Sequence, residues 1–180
     1  MSAFLDWLES LNERDTRVRA VLRRSLAFAP GAFPAAIAYV EPFLKEDTAT
    51  WHRDVHYLVA ALWAMHWKEG RTDPPLPIGK AAARYALDHH THEQLTGGAS
   101  STERRFIALL DADPEQLPHR LRQMIALLKE QAIDFDALLD DLLRWRDERK
   151  RTQNAWARDF YRALNRGTDP EQETETEQAV

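Results

Sequence analysis

The helical spacing of apolar residues is the feature of this sequence that most restricts its fold. Phe4, Trp7, Leu8 and Leu11 follow one another at intervals of one, three or four, and similar stripes recur as far as Ala163. Such spacing places apolar side chains on one face of an α-helix, whereas a half-buried strand needs strict alternation, which no segment shows. The sequence therefore predicts an all-α protein, a two-lobed helical bundle of about eight to nine helices.

Glycine and charge divide the chain into three parts. The Gly97-Gly98 pair is the strongest hinge signal, and it predicts an N-terminal helical lobe over residues 1–96 and a C-terminal bundle lobe over 100–166. Residues 167–180 carry acids and no base after Arg166, and such a run of like charge is expected to form a disordered acidic tail.

The end of the second lobe has the clearest apolar stripe. Asp134 is placed to cap a helix, and the stripe then continues for about thirty residues, which predicts one helix roughly 45 Å long. In such a helix Arg149 would lie among apolar side chains. The stripe comprises Leu138, Leu142, Trp145, Arg149, Trp156, Phe160 and Ala163.

Several classes of site lack their residues here. There is no cysteine, which excludes disulfides and zinc–thiolate sites. The seven histidines form no HExxH motif or paired ExxH motifs, and no Gly-rich phosphate loop or GxSxG elbow is present. We therefore expect no enzyme, no catalytic residue, no metal and no cofactor. With no membrane-length apolar run and no signal peptide, the expected location is the cytoplasm, with no membrane partner.

The charge of the chain is unevenly distributed. The formal net charge is −5, but residues 169–180 hold five acids and no base, so the rest has 24 acids against 24 bases. Of these bases 19 are arginines, whose planar guanidinium suits phosphate and carboxylate alike. A neutral folded part rich in arginine can bind an anionic partner.

Local pairing separates the bases into two groups. On a solvated helix a base usually has an acid three or four residues away, as Arg151 has in Asp147. A second group has none, and it needs either a carboxylate from elsewhere in the fold or an external phosphate. That group comprises Arg23, Arg24, Arg53, Lys80, Arg104, Arg105, Arg120, Arg122, Lys129, Arg146, Arg149 and Arg158.

The tryptophans give little sign of a base-stacking surface. Trp51, Trp63, Trp67, Trp145 and Trp156 fall at spacings typical of core positions. Contact with the nucleic-acid backbone through arginine is therefore the binding mode that we expect, in preference to base stacking.

Eight segments between residues 4 and 161 have a combined order and spacing that is specific. They are FLDWLESL (4–11), VLRRSL (21–26), LVAALWAMH (58–66), IGKAAA (78–83), STERRFIALLDAD (101–113), LPHRLRQMIALLK (117–129), IDFDALLDDLLRW (133–145) and WARDFY (156–161). Through these segments, residues 4–165 resemble the CasB family, the small subunit of the type I-E CRISPR Cascade complex.

This resemblance implies a non-enzymatic, all-helical, two-lobed subunit with a role in antiviral defense. Its expected partners are guide RNA, target DNA, other Cascade subunits and a second copy of itself. The nucleic-acid-binding positions that the resemblance implies are Arg23, Arg24, Lys80, Arg104, Arg105, Arg122, Arg149, Lys150 and Arg151, with Arg53 as a looser match.

Two hypotheses follow for the function. In the first, the chain holds the guide RNA–target DNA duplex and the displaced strand through arginine–phosphate contacts. In the second, it is a helical protein–protein adaptor without nucleic-acid contact, and its arginines meet acidic surfaces of partner proteins.

Overall fold

The chain folds into helices throughout the part that its computed structural model describes, residues 3–168 without the side chain of Thr96. The all-α prediction is confirmed, with ten α-helices in this range. They are α1 (Ala3–Arg14), α2 (Arg17–Ser25), α3 (Pro34–Val40), α4 (Thr50–His66), α5 (Ile78–His89), α6 (His92–Thr96), α7 (Ser101–Leu110), α8 (Leu117–Leu127), α9 (Phe135–Leu143) and α10 (Arg151–Thr168).

Side-chain caps fix several helix starts. The Ser100 hydroxyl accepts the Glu103 N–H at 3.1 Å, and the Asp134 carboxylate accepts the Ala137 N–H at 2.9 Å. Thr91 and Gln94 form a reciprocal capping box at α6. Each cap satisfies a donor that the first helical turn leaves free.

The buried apolar residues form one cluster that extends across the Gly97-Gly98 boundary. Helix α4 lies at its centre and contacts α2, α8 and α9. Leu22, Leu62, Leu121 and Leu142 are fully buried in this cluster. Burial of each such side chain stabilises the fold by about 1.5–3 kcal/mol. The division into lobes at residues 97–98 stays a prediction.

Helices α5 and α10 approach each other most closely at Gly79. A Cβ atom at this position would lie 2.5 Å from the backbone oxygen of Trp156 and 3.3 Å from the backbone nitrogen of Phe160. Only a glycine permits that distance between two helix backbones. The contact fixes the start of α5, and with it Lys80, against the middle of α10.

The prediction of one helix from residue 134 to residue 163 is wrong. Helix α9 ends at Leu143 and α10 begins at Arg151, with turns between them and Lys150 in a left-handed conformation (φ 48°). Trp145 and Trp156 would be roughly 16 Å apart along a straight helix, but their rings pack at 5.1 Å because the chain turns between them. The same turn places Arg149 in solvent instead of among apolar side chains.

The turn has hydrogen bonds of its own. The buried Trp145 indole donates to the Ala112 carbonyl at 3.3 Å, and Gln153 donates to the Trp145 carbonyl at 3.0 Å. The Asp147 carboxylate accepts the Arg149 N–H at 3.3 Å. The bonds from Gln153 and to Asp147 satisfy backbone groups that the break leaves without helical partners.

Helix α10 continues to Thr168, two residues beyond the predicted end of the second lobe and into the predicted acidic tail. The rest of that tail prediction, residues 169–180, lies outside the described residues.

Candidate nucleic-acid interface

Arg122 on α8 reaches the C-terminal end of α2, where Arg23 and Arg24 occupy the last helical turn. Arg122 on α8 donates to the Leu26 carbonyl at 3.1 Å, two residues beyond Arg24. Arg23 and Arg24 are exposed, and neither forms an ion pair with any residue that the structure describes. We call Arg23, Arg24 and Arg122 the α2–α8 basic patch. The patch therefore contains residues from both sides of the lobe boundary predicted at residues 97–98.

A second group of bases lines a cleft of about 380 Å³ between α7 and α8. Arg104, Arg105 and Arg120 line it together with Ser101, Ala108, Gln123 and Met124, and no carboxylate is among these residues. The Arg104 guanidinium donates to the Ala99 carbonyl at 3.0 Å, which fixes the side chain without neutralising it. We call this the α7–α8 cleft.

Helix α8 carries bases toward both of its neighbours. Arg120 lines the α7–α8 cleft and Arg122 contacts the end of α2. Two positions along a helix correspond to about 200°, so the two side chains leave α8 on nearly opposite sides. The positions implied by the CasB resemblance do not include Arg120. The sequence pattern had nevertheless placed Arg120 among the bases without an acid three or four residues away.

The turn before α10 presents the bases 149–151. Arg149 and Lys150 are exposed and have no ion-pair partner within residues 3–168, whereas Arg151 Nε lies 2.6 Å from Asp147 Oδ2. This hydrogen bond from Arg151 lowers the pKa of Asp147. Arg151 is therefore neutralised locally, as its sequence spacing had indicated.

Lys80 is exposed near the start of α5, and in the described part of the chain it forms no ion pair. Among the described residues, α5 and α10 have their main contacts with each other and with α7. Neither helix has a main contact with α2 or α8. Lys80 and the bases 149–151 therefore belong to a different set of packed helices from the α2–α8 basic patch. The structure brings only some of the predicted residues together.

Arg53 is engaged within the fold. Its guanidinium forms an ion pair with Glu41 and donates to the carbonyls of Lys45 and Glu46, at 3.3 and 3.2 Å. The bond from Arg53 lowers the pKa of Glu41, which also accepts the Tyr57 hydroxyl at 2.9 Å. The geometry therefore gives Arg53 a structural role between the segment after α3 and α4.

Two other arginines cover tryptophans. Arg19 donates to Asn12 at 2.6 Å and lies 3.7 Å above the Trp67 ring centroid, although Asp15 is four positions away along the chain. Arg146 lies 4.4 Å above the ring centroid of Trp51. A cation over an indole face is stabilising, so these bases contribute to packing.

The tryptophans behave mainly as core residues. Trp63, Trp145 and Trp156 are buried, in agreement with their spacing. Trp156 donates to Asp141 at 2.7 Å and Trp63 donates to Glu9 at 3.0 Å. Their indole N–H groups are therefore satisfied inside the protein.

Two structural features are absent from the described part of the chain, a cluster of metal ligands and a membrane-spanning helix. Within residues 3–168 no three His, Asp or Glu side chains converge as they would around a metal ion. In the same range no helix combines the length and apolar character needed to cross a membrane.

Comparison with known proteins identifies the family. The family model described as CRISPR-associated protein Cse2 matches residues 18–161. A CRISPR-associated protein Cse2 from Thermus thermophilus is 47% identical over 163 residues, which cover 89% of each chain.

Solved structures agree with this match. A Cse2-family protein from Thermus thermophilus superposes with a TM-score of 0.75 at 46% identity, covering 91% of this chain and 100% of its own. A chain of a CRISPR RNA-guided surveillance complex superposes with a TM-score of 0.70 at 25% identity, covering 98% and 99%. Since the family model spans most of the sequence and a relative is nearly half identical, the chain belongs to the Cse2 family of CRISPR-associated proteins, also called CasB.

Proposed function

We propose that this chain is a non-enzymatic subunit of a CRISPR Cascade surveillance complex that holds nucleic acid by its phosphate backbone. The observation that carries the proposal is the pair of basic surfaces on either side of α8. The α2–α8 basic patch and the α7–α8 cleft together hold six arginines without an ion-pair partner among the described residues. Exposed guanidinium groups without carboxylate neighbours are suited to phosphate.

The proposed partners are guide RNA, target DNA, other Cascade subunits and a second copy of the chain. Family membership and the likeness to a chain of a surveillance complex support the protein partners. The exposed bases support the nucleic-acid partners. Lys80, Arg149 and Lys150 are proposed as further phosphate contacts outside the α2–α8 basic patch, whereas Arg53 and Arg151 have their charges met by Glu41 and Asp147.

The physical role is to hold an opened target without reading its sequence. In RNA-guided recognition, base pairing supplies the specificity and the exchange of one duplex for another is nearly balanced in free energy. A few phosphate contacts can therefore favour the opened state. A chain with a net charge of −5 should bind weakly alone, and its presence in an assembly raises the effective concentration.

Two double variants test the proposal in the assembled complex. Arg23→Ala/Arg24→Ala and Arg149→Ala/Lys150→Ala should both preserve assembly and weaken retention of target DNA, because none of these four bases has an ion-pair partner among the described residues. The matched control is Arg17→Ala/Arg144→Ala, because these exposed arginines already pair with Asp15 and Asp141. The control should retain DNA like the unmodified complex.

The result would also decide between the two hypotheses. Unchanged DNA retention with both double variants would contradict phosphate holding. Loss of the subunit from the complex, with the free chain failing to shift DNA or RNA even at low salt, would support the adaptor hypothesis. A gel shift that weakens as salt rises would support phosphate holding.

A further inference from the structure

An exposed aromatic side chain lies beside the α2–α8 basic patch. Phe28 is 48% exposed, the largest exposed fraction among the large apolar side chains of the described residues. It belongs to the connection between α2 and α3, two residues beyond Leu26, whose carbonyl accepts the Arg122 guanidinium. The sequence pattern had drawn attention only to tryptophans as stacking residues and had not singled out this phenylalanine.

The Phe28 ring is held in place. Its backbone N–H donates to the Ser25 carbonyl at 3.0 Å, and its ring stacks on Phe33 with a 5.0 Å centroid distance and a 13° interplanar angle. Gly31 has a φ of 77°, so the turn between the two rings uses a conformation that favours glycine. The ring is thus presented to solvent on a backbone fixed by hydrogen bonds.

The surroundings of the ring are cationic. The Arg24 guanidinium lies 5.8 Å from the Phe33 ring centroid. Phe28 itself lines a cleft of about 240 Å³ together with Arg122 and His119, and Glu115 is the one carboxylate among the lining residues. An apolar ring flanked by guanidinium groups matches the chemistry of an unpaired nucleotide, which has a flat base and anionic phosphates.

We propose that Phe28 stacks on an unpaired base of single-stranded nucleic acid whose neighbouring phosphates contact Arg23, Arg24 and Arg122. This inference rests on the proposed function and adds a contact that does not depend on charge. Stacking tolerates any base because every base has a π-face. The contact would therefore favour an unpaired strand over a duplex without selecting a sequence.

The test compares an intact oligothymidylate with one that contains abasic sites. Binding is measured by fluorescence anisotropy with the full-length chain at low salt, and again with the assembled complex. Phe28→Ala should weaken binding to the intact strand at least about fivefold, the lower end of the effect of losing one base–aromatic stack. It should have little effect on the abasic strand, and Phe28→Trp should bind the intact strand like the unmodified chain.

Ile37→Ala is the matched control, since Ile37 is also exposed, at 43%, on the neighbouring helix α3. It should leave binding to both strands unchanged. A melting curve for each variant checks that the fold is intact.

The outcomes separate this inference from the proposed function. If Phe28→Ala weakens binding to both strands equally, or to neither, while Arg23→Ala/Arg24→Ala still weakens binding, stacking is contradicted and phosphate holding stands. If neither variant changes binding, both proposals fail. Loss of Phe28→Ala chains from the assembled complex would assign the ring to a protein contact and contradict stacking.

Discussion

At the scale of single residues, His66 is a titratable side chain buried in the core with a partner at each ring nitrogen. It is 7% exposed, and its Nδ1 accepts a bond of 2.7 Å from Arg71 while its Nε2 donates to the Leu128 carbonyl at 3.2 Å. Arginine can only donate, so the ring must be neutral. Burial, with the nearby Arg71 charge, lowers the pKa of His66 to about 4.

We predict that this histidine makes the fold less stable in acid. The unfolded chain binds a proton near pH 6.5, whereas the folded ring resists it down to about pH 4. Stability from this residue is therefore complete above pH 6.5 and is lost as the pH falls toward 4, by up to about 1.4 kcal/mol per pH unit. Urea unfolding of the unmodified chain and of His66→Gln across this range measures the difference. Equal pH dependence in both proteins would contradict it.

Single arginines also show what the sequence could not predict. Arg151 and Asp147 are four positions apart, so their pairing was visible in the helical spacing. Arg53 and Glu41 are twelve positions apart, and they meet only because the segment after α3 folds back onto α4. Local spacing therefore detects pairs within an element, but not those that depend on tertiary contact.

At the scale of elements, the contact of α5 with α10 determines where several bases lie. The contact is close because Gly79 has no Cβ atom, and a second close approach joins Gly167 to the side chain of Leu87. The order of these contacts along both helices shows that α5 and α10 run in the same direction. Lys80 on α5 is thereby held at a fixed distance from α10.

We predict that Gly79→Ala destabilises the fold. Its new methyl group would lie 2.5 Å from the Trp156 backbone oxygen, which cannot rotate away as a side chain can. Overpacking of this kind costs about 1–3 kcal/mol, and a lower Tm would show it. The neighbouring exposed variant Lys80→Ala serves as control, with an expected change of about 0.5 kcal/mol or less. A Gly79→Ala protein as stable as the control would contradict the close approach.

Comparison of the predicted helices with the observed ones shows how far sequence patterns predict secondary structure. The all-α class and the cap at Asp134 follow from local sequence patterns and are confirmed. The break between α9 and α10 contains neither glycine nor proline, and it depends on the burial of Trp145 against Trp156. Because tertiary packing produces this turn, no local signal indicated it.

At the scale of the whole molecule, the acidic residues after Thr168 oppose the proposed phosphate contacts. Deleting residues 169–180 removes five carboxylates and takes the formal net charge from −5 to zero. We predict modestly tighter binding of nucleic acid by the truncated chain, because long-range repulsion falls. The deletion spares helix α10, so the Tm should not change. A cooperative loss of stability or weaker binding would contradict this prediction.

The candidate surface was predictable only as a set of residues, not as an arrangement. The missing local partners of Arg23, Arg24 and Arg122 were visible in the sequence, and Arg122 does reach the end of the helix that carries the other two. Their proximity depends on the docking of α8 near the end of α2, across 96 positions of the chain from Leu26 to Arg122. Such a distance is outside the range of any helical pattern.

The most direct test of phosphate holding is the salt dependence of target-DNA binding by the assembled complex. The logarithm of the association constant falls linearly with the logarithm of salt concentration, with a slope of about −0.7 to −0.9 for each neutralised phosphate. The unmodified complex and Arg23→Ala/Arg24→Ala should therefore differ in slope by about 1.4 to 1.8. Arg17→Ala/Arg144→Ala should keep the unmodified slope. Equal slopes in all three complexes would contradict the account.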